Sequence, residues 1–348
     1  MRGYAWRTTP ARLGRPTLLG MARSHLTLAA LATSAVAELD LVATSEFGSR
    51  VDNEFDSALL TGRDGKHWII RVPRNEAAES AQSADLVALR AISTGVRTRL
   101  PFAVSNYVGQ TPVSGTRAVV YEFVYGNKVP LAHVDDALAT SIGIALAALH
   151  ALPTSFVADA GLPVLGAIEA LRSAVSIMDR AAATGHVPTP LLSRWESATE
   201  DSKLWQFQPT VINNALSADS FLSSESKVTG VLGWQELRVG DPARDLAWLL
   251  ADPVVADPAF DAYTAARGTA DRQVKQRATL YSELEVAKWL LHGTETRDSE
   301  IVDDAVSMLD SLVDDVQNDV MNPIGAQTMP TMAVDEVQAF LDRNERAV

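Results

Sequence analysis

The side chains able to do chemistry in this 348-residue chain are quickly narrowed. There is no cysteine, which excludes a disulfide framework, a thiolate nucleophile and a zinc–cysteine site. The six histidines (His25, His67, His133, His150, His186 and His292) lie far apart, with no pair at i, i+4 spacing, so a histidine-built metal site is not expected. Carboxylates, amides and hydroxyls remain, and they gather between Val211 and Ala247. That stretch reads V-I-N-N-A-L-S-A-D-S-F-L, then V-T-G-V-L-G-W, then G-D-P-A-R-D-L-A. Asp219, Glu225, Glu236, Asp241 and Asp245 are its acids. A carboxylate can orient and deprotonate a hydroxyl, or help to hold a hard divalent cation.

The elements that must position these groups can be read around them. The apolar runs Phe221-Leu222 and Val228 to Leu232 flank a turn-prone S-S-E-S-K, which predicts a small hairpin. Asp241-Pro242 predicts a helix start, with Asp as cap and Pro at the first position. A loop, a hairpin and a capped helix in this order resemble the catalytic core of the kinase-like aminoglycoside and macrolide phosphotransferases. In that family the loop reads H-G-D-x-x-x-x-N, with H at the last place in macrolide enzymes, and the hairpin ends in I-D-W. Here the same places read Asn213-Asn214-Ala215, Ser220 and Leu232-Gly233-Trp234.

Phosphoryl transfer needs a carboxylate for the attacking hydroxyl and oxygen ligands that hold Mg²⁺ against the phosphates. The resemblance puts Ala215 at the base position, Ser220 at the second metal position and Gly233 at the principal one. Alanine cannot accept a proton, glycine offers no ligand, and serine is a weak one. A register shifted by one residue would bring Asn214 to the base place and Asp219 to the metal place. It would also break the apolar pattern of Leu216, Phe221 and Leu222, and Trp234 and G-D-P-A-R-D-L-A fix the frame independently. Asp241 and Asp245 match family positions that cap the helix and brace the loop backbone. The frame is kept while the chemical groups are replaced.

Upstream, Leu59-Leu60 and His67 to Val72 flank a turn at Asp64-Gly65, another hairpin signal. The segment D-G-K-H-W-I-I-R-V-P-R resembles the macrolide phosphotransferase pattern D-G-x-x-W-V-L-R-x-P-R, and Arg99 to Val104 (R-L-P-F-A-V) also resembles the family. By that likeness Arg71 stands where a basic residue holds the nucleotide phosphates. Asp85, in a helix predicted from Glu76 to Ile92, stands where a glutamate pairs with it, Glu79 being the other candidate. On spacing alone Arg71 and Asp85 read equally well as solvated surface charges; the strand match favours the pair. A strand over Ala118 to Val124 then implies a hinge, whose backbone at Glu122, Phe123 and Val124 would face the nucleotide base. No glycine-rich phosphate motif occurs, and Gly48 is the only glycine in the corresponding region.

Downstream, Asp135 to Leu152 reads as a helix whose L-A-A-L-H end, followed by S-F-V-A-D-A-G-L, again resembles the family; His150 is expected to pack rather than catalyse. Further helices are predicted over Ala167–Ala183, Pro190–Asp201 (anchored by Trp195), Asp257–Ala266, Gln273–Leu291 and Ser299–Val316, the last with an acidic solvated face. Asp257-Pro258 is expected to repeat the cap-then-proline start.

The expected organisation follows. Residues 1–20, with four arginines and no acid, read as a disordered leader or a mis-assigned start before Met21. Leu26 to Ala37, ending Ala35-Val36-Ala37, reads as a first helix in preference to a secretion signal, its core being weakened by Thr27, Thr33 and Ser34. Residues 21–126 would form an N-terminal lobe, 127–320 a C-terminal lobe with the catalytic-loop region 211–247, and 321–348 a linker and tail helix. The fold class implied is α+β: a bilobal protein-kinase-like fold with a small antiparallel-sheet lobe and a larger helical lobe. With 47% hydrophobic and 21% charged residues the composition is that of a globular protein, and a formal charge of −13 argues against nucleic acid as a partner. No stretch approaches a membrane span, so a cytoplasmic protein without membrane or nucleic-acid partners is expected.

The functional expectation is a pseudokinase of the resembled family. It would bind ATP or GTP with little call on Mg²⁺, or another small molecule or a protein partner. Two alternatives stand beside it: an active phosphotransferase on a small-molecule hydroxyl that uses Asp219 and Glu236 as non-standard acids, and a structural interaction protein with an empty cleft.

Overall fold

The computed structural model describes residues 22–48, 54–268, 271–318 and residue 324. The expected leader, linker and tail helix lie outside these. Helix α1 (His25–Ala35) starts at Ser24, whose hydroxyl accepts the Thr27 N–H. Strands β1 (Leu41–Glu46), β2 (Phe55–Gly62) and β3 (His67–Pro73) follow, then α2 (Glu76–Ala91), α3 (Thr94–Arg97), β4 (Ala103–Val104), β5 (Tyr107–Val113), β6 (Thr116–Glu122) and β7 (Asn127–Lys128).

Five of these strands form one antiparallel sheet in the order β1-β2-β3-β6-β5. Strict alternation along β2 buries Ala58 and Leu60 on the face where Ile70, Val72, Ala118 and Val120 join them. Leu28 and Ala32 of α1 close this core. The buried Asp56 sits on the same face of β2 and ties in Arg23 at 3.0 Å. The anticipated first helix is therefore an integral part of the sheet's core, and it owes its place to two residues one turn apart.

The helical part begins with α4 (Asp136–His150), capped by Asp135, and continues through α5 (Ser155–Asp159), α6 (Ala167–Ala182) and α7 (Thr189–Glu200). Strand β8 (Thr210–Ile212) leads into the loop of interest, and β9 (Phe221–Ser224) and β10 (Lys227–Val231) form the anticipated hairpin. Glu225 and Ser226 make its turn, with φ of 51° and 54°. Strand β11 (Arg238–Gly240) returns antiparallel to β8, and α8 (Ala243–Leu246), α9 (Pro253–Arg267), α10 (Val274–Thr296) and α11 (Ser299–Asn318) complete the chain. The family of elements is thus an antiparallel-sheet N-terminal part and a helical C-terminal part, as a kinase-like fold requires.

Two details correct or refine the expectation. Helix α9 starts one turn earlier than Asp257: Asp252 is its cap, accepting the Val254 N–H at 3.0 Å, and Pro253 fills the first turn. Pro258 lies inside the helix, where the carbonyl it leaves unbonded belongs to the exposed first-turn residue Val254 and can be hydrated. Helices α4 and α9 pack against each other at Gly143, where an added Cβ would lie 2.1 Å from the Ala259 carbonyl oxygen. Only glycine permits that approach.

The chain divides into two compact units, one within Met1–Ser173 and Phe207–Ser282, the other within Ala174–Gln206 and Glu283–Val348. In the second, Trp195 is fully buried and its indole N–H donates to Glu283 at 2.8 Å, while Arg194 pairs with the same carboxylate at 3.0 Å. Burial pushes the Glu283 carboxyl upward despite these partners. No helix among the described residues is long and apolar enough to cross a membrane.

Candidate active-site loop

The loop after β8 is held by one buried carboxylate. Asp245 accepts the backbone N–H of Asn213 at 2.8 Å and of Asn214 at 2.6 Å, and His150 Nε2 lies 3.2 Å from it. The other imidazole nitrogen meets the Tyr263 hydroxyl at 2.9 Å, and burial pushes that phenol upward. His150 and Asp245 are both buried, so this network is set inside the fold and not at its surface. His150 serves as an anchor between α4, α8 and α9.

Asn213 extends the brace. Its amide Nδ2 donates to the Gly233 carbonyl at 2.7 Å and its Oδ1 accepts the Ala215 N–H at 3.2 Å. The loop is thereby stapled to the end of the β9–β10 hairpin. Asn214 has φ of 69°, a left-handed conformation that asparagine tolerates better than other non-glycine residues.

The three positions that would carry chemistry look different. Ala215 is exposed at the loop tip and ends in a methyl group. The Ser220 hydroxyl accepts the Ser217 N–H at 3.2 Å within a reciprocal capping box around the single turn Ala218–Ser220. Gly233 has φ of 76°, with only the Gln235 amide within 4 Å of where a Cβ would stand. Among the described residues no group of three or more histidines, aspartates or glutamates is placed to hold a metal ion. The donor set that remains at the loop, one engaged hydroxyl and backbone carbonyls, does not fit Mg²⁺, which prefers carboxylates. The two non-standard acids of the alternative reading are also accounted for: Asp219 is exposed in the short turn, and Glu236 pairs with Arg238 of β11.

Asp241 behaves as a structural residue. It accepts the Ala243 N–H at 3.0 Å at the start of α8 and is gripped by Arg277 at 2.8 and 3.0 Å and by the Tyr281 hydroxyl at 2.9 Å. Burial and the neighbouring carboxylate push the Tyr281 phenol upward, while Asp241 and Asp271 hold the Arg277 guanidinium charged against the desolvation it suffers.

The sheet-side residues are arranged less simply than the sequence suggests. Asp85 of α2 accepts the Trp234 N–H at 2.9 Å, immediately after Gly233, and so joins α2 to the hairpin end. Loss of water pushes its carboxyl up, against that N–H and the longer-range charge of Arg71. Arg71 is exposed and lies with its guanidinium 4.0 Å over the Phe55 ring. Among the described residues the two do not form a direct ion pair: the shorter aspartate side chain is committed to the backbone. Glu79, the other candidate, lies in the first turn of α2. At the hinge, the N–H groups of Glu122 and Phe123 donate to the carbonyls of Asn106 at 2.9 Å and His67 at 3.1 Å, which leaves neither for a base. Val124 is buried.

Some participants escape sequence reasoning. Phe123 is surrounded by Phe47, His67 and Tyr125, with ring centroids 4.9 to 6.1 Å away, an aromatic surface assembled from three separate strands and loops. Asn213 as a staple could have been suspected from its place before a left-handed residue; the aromatic group carried no local signal.

The fold recurs in solved structures. The apoenzyme of the macrolide 2′-phosphotransferase MphH from Brachybacterium faecium superposes with a TM-score of 0.64 at 23% identity, covering 81% of this chain and 97% of that one. Wild-type aminoglycoside 2′-phosphotransferase-IIIa, solved with GDP, gives 0.65 at 18% identity, covering 85% and 100%. An uncharacterized protein of Bacillus subtilis (strain 168), YcbJ, is 25% identical over 217 residues, 59% of this chain and 70% of its own length. The loop, the hairpin and the braced aspartates all fall within residues 46–281, the span matched by the model of the phosphotransferase enzyme family, and to that family, of aminoglycoside and macrolide phosphotransferases, this chain belongs.

Proposed function

We propose that this chain is a pseudokinase of its family, a protein that binds a nucleotide, another small molecule or a protein partner without transferring phosphate. The observation that carries the reading is Ala215. It stands at the tip of a loop whose backbone is held as a catalytic loop would be, by Asp245 and Asn213, yet it presents only a methyl group. Removing an oriented base costs roughly 10²–10⁴-fold in rate. The engaged hydroxyl of Ser220 and the bare Gly233 add the loss of metal ligands to that deficit.

The competing reading, an active phosphotransferase with borrowed acids, needs Asp219 or Glu236 to do this work. Glu236 is paired with Arg238, and Asp219 points from an exposed turn, so neither is poised as a base or a paired metal ligand. Arg71 is the group that remains suited to a phosphate, exposed beside the sheet with its guanidinium stacked but not neutralised by Asp85. That argues for nucleotide binding through phosphate and aromatic contacts, with Phe123 and Tyr125 beside the hinge.

The experiment is thermal unfolding of the full chain with ATP, GTP or GDP, each in Mg²⁺ and in chelator. Guanine nucleotides belong in the panel because one structural relative was solved with GDP. A ligand that binds only the folded state raises the transition, by about 2.7 kcal/mol of stability at a hundred times its Kd. The proposal expects a shift of equal size with and without Mg²⁺, and no phosphate released. A shift that requires Mg²⁺, with turnover, overturns it.

A further inference from the structure

A second site lies beside the loop. A cavity of about 100 Å³ opens between the start of α6, the loop and the β11–α8 turn, lined among others by Glu169, Ser173, Asn214, Arg238, Asp241 and Arg244. We infer that this cavity binds an oxyanion, a carboxylate or phosphate group on a small molecule, with Arg244 as its principal contact.

Of the two acids on the cavity wall, only Asp241 is paired with a cation. Glu169 accepts the Gly166 N–H at 3.0 Å at the start of α6, and Asp241 is held by Arg277 and Tyr281. Glu236, next to the wall, is spent on Arg238. Arg244 is different. Its contacts are neutral ones, the Ser173 hydroxyl at 3.4 Å and the Tyr281 ring 4.5 Å from its guanidinium carbon. Among the described residues it pairs with no carboxylate. The stack on Tyr281 fixes the plane of the guanidinium while leaving N–H donors for a ligand, an arrangement suited to bidentate recognition of a carboxylate or phosphate.

The inference names the chemistry of a ligand next to the loop, and it holds whether or not the chain transfers phosphate. An acidic small molecule, held at Arg244, is the ligand class it names.

The test uses the full chain and inorganic phosphate as probe, with acetate as the carboxylate counterpart, titrated calorimetrically at constant ionic strength. Arg244→Gln should weaken phosphate binding about tenfold or more, the worth of a charge-assisted hydrogen bond. Arg244→Lys, which keeps the charge but not the fork, should fall between. Because Arg71 can itself hold phosphate, each protein is compared in an Arg71→Gln background, so that only binding away from the sheet is read. If Arg244→Gln loses its fold, Arg244→Lys gives the same reading with a smaller effect. Phosphate binding in preference to acetate assigns a phosphate ester, and the reverse a carboxylic acid. The inference is overturned if phosphate and acetate both fail to bind in that background, or if Arg244→Gln leaves the binding intact. The nucleotide result of the preceding section does not enter either outcome.

Discussion

Placing carboxylates at the two positions where the resemblance would have them tests both the register and the proposed reading of the loop. The double variant Ala215→Asp/Gly233→Asp puts an acid at the base position and another at the principal metal position. Its structural cost can be worked out in advance. Ala215 is exposed, so its substitution should change stability by no more than about 0.5 kcal/mol. Gly233 has room: a Cβ would lie 3.5 Å from the Gln235 Oε1 and 3.8 Å from its Nε2, ordinary contacts. Its φ of 76° is the obstacle, and a left-handed conformation costs a non-glycine residue about 1–2 kcal/mol, with aspartate toward the lower end. The whole penalty is thus about 1–2 kcal/mol, or a fall in melting temperature of roughly 2–8 °C for a domain of this size. The variant should fold, and in chelator it should melt slightly below the parent. Adding Mg²⁺ with ATP should then raise its transition by more than ATP alone, a difference the parent does not show. Differential scanning fluorimetry gives both numbers, and a phosphate-release assay reports any turnover. A variant that unfolds cooperatively near the predicted temperature, yet responds identically to ATP in Mg²⁺ and in chelator, refutes the placement of the site.

Other expectations follow from the same geometry. Asp245→Ala leaves the buried Asn213 N–H and His150 Nε2 without their acceptor, at about 1–3 kcal/mol each, so denaturant unfolding should show a loss of about 2–6 kcal/mol. Gly143→Ala forces α4 and α9 apart where the added methyl would sit 2.1 Å from a carbonyl oxygen, and should cost about 1–3 kcal/mol in the same assay. Asp85 carries a pH prediction: its folded pKa is raised from 3.8 by loss of water, so the contribution is most favourable below 3.8 and is lost as pH rises through the folded value. Asp85→Asn keeps an acceptor for the Trp234 N–H and removes that titration. Its stability relative to the parent should therefore climb with pH above about 4 and then level off, as unfolding curves across pH would show.

How much of this was legible in the sequence depended on whether the signal was local. The β9–β10 hairpin, the strand around Arg71 and the cap at Asp135 each announce themselves within a few residues, by turn composition or by a capping side chain over an apolar run. Asp257-Pro258 shows how such a signal misleads. Asp252-Pro253 is the same pair one turn earlier, and the choice between them is made by the burial of Val255 and Ala256, which only the packed structure fixes. The bond from Trp234 to Asp85 joins residues 149 apart in sequence, and no spacing rule foretells it. The same is true of the cavity, where α6 meets the turn around Asp241 and the partners of that acid come from α10.

The residues that the resemblance gives as replaced and those it gives as kept differ in what they touch. Asp245, Asn213, Asp241 and His150 bond to backbone or to buried side chains, so their removal would be felt by the fold whether or not a ligand is ever bound. Ala215 and Gly233 face outward, where a carboxylate would have had nothing in the protein to hold and would have owed its presence to a ligand alone. Ser220 is intermediate: its hydroxyl still closes a capping box, and that local task explains why the position carries a hydrogen-bonding side chain at all. Asn214, at φ 69°, holds the left-handed turn of the loop between the bonds from its own N–H to Asp245 and from the Ala215 N–H to Asn213.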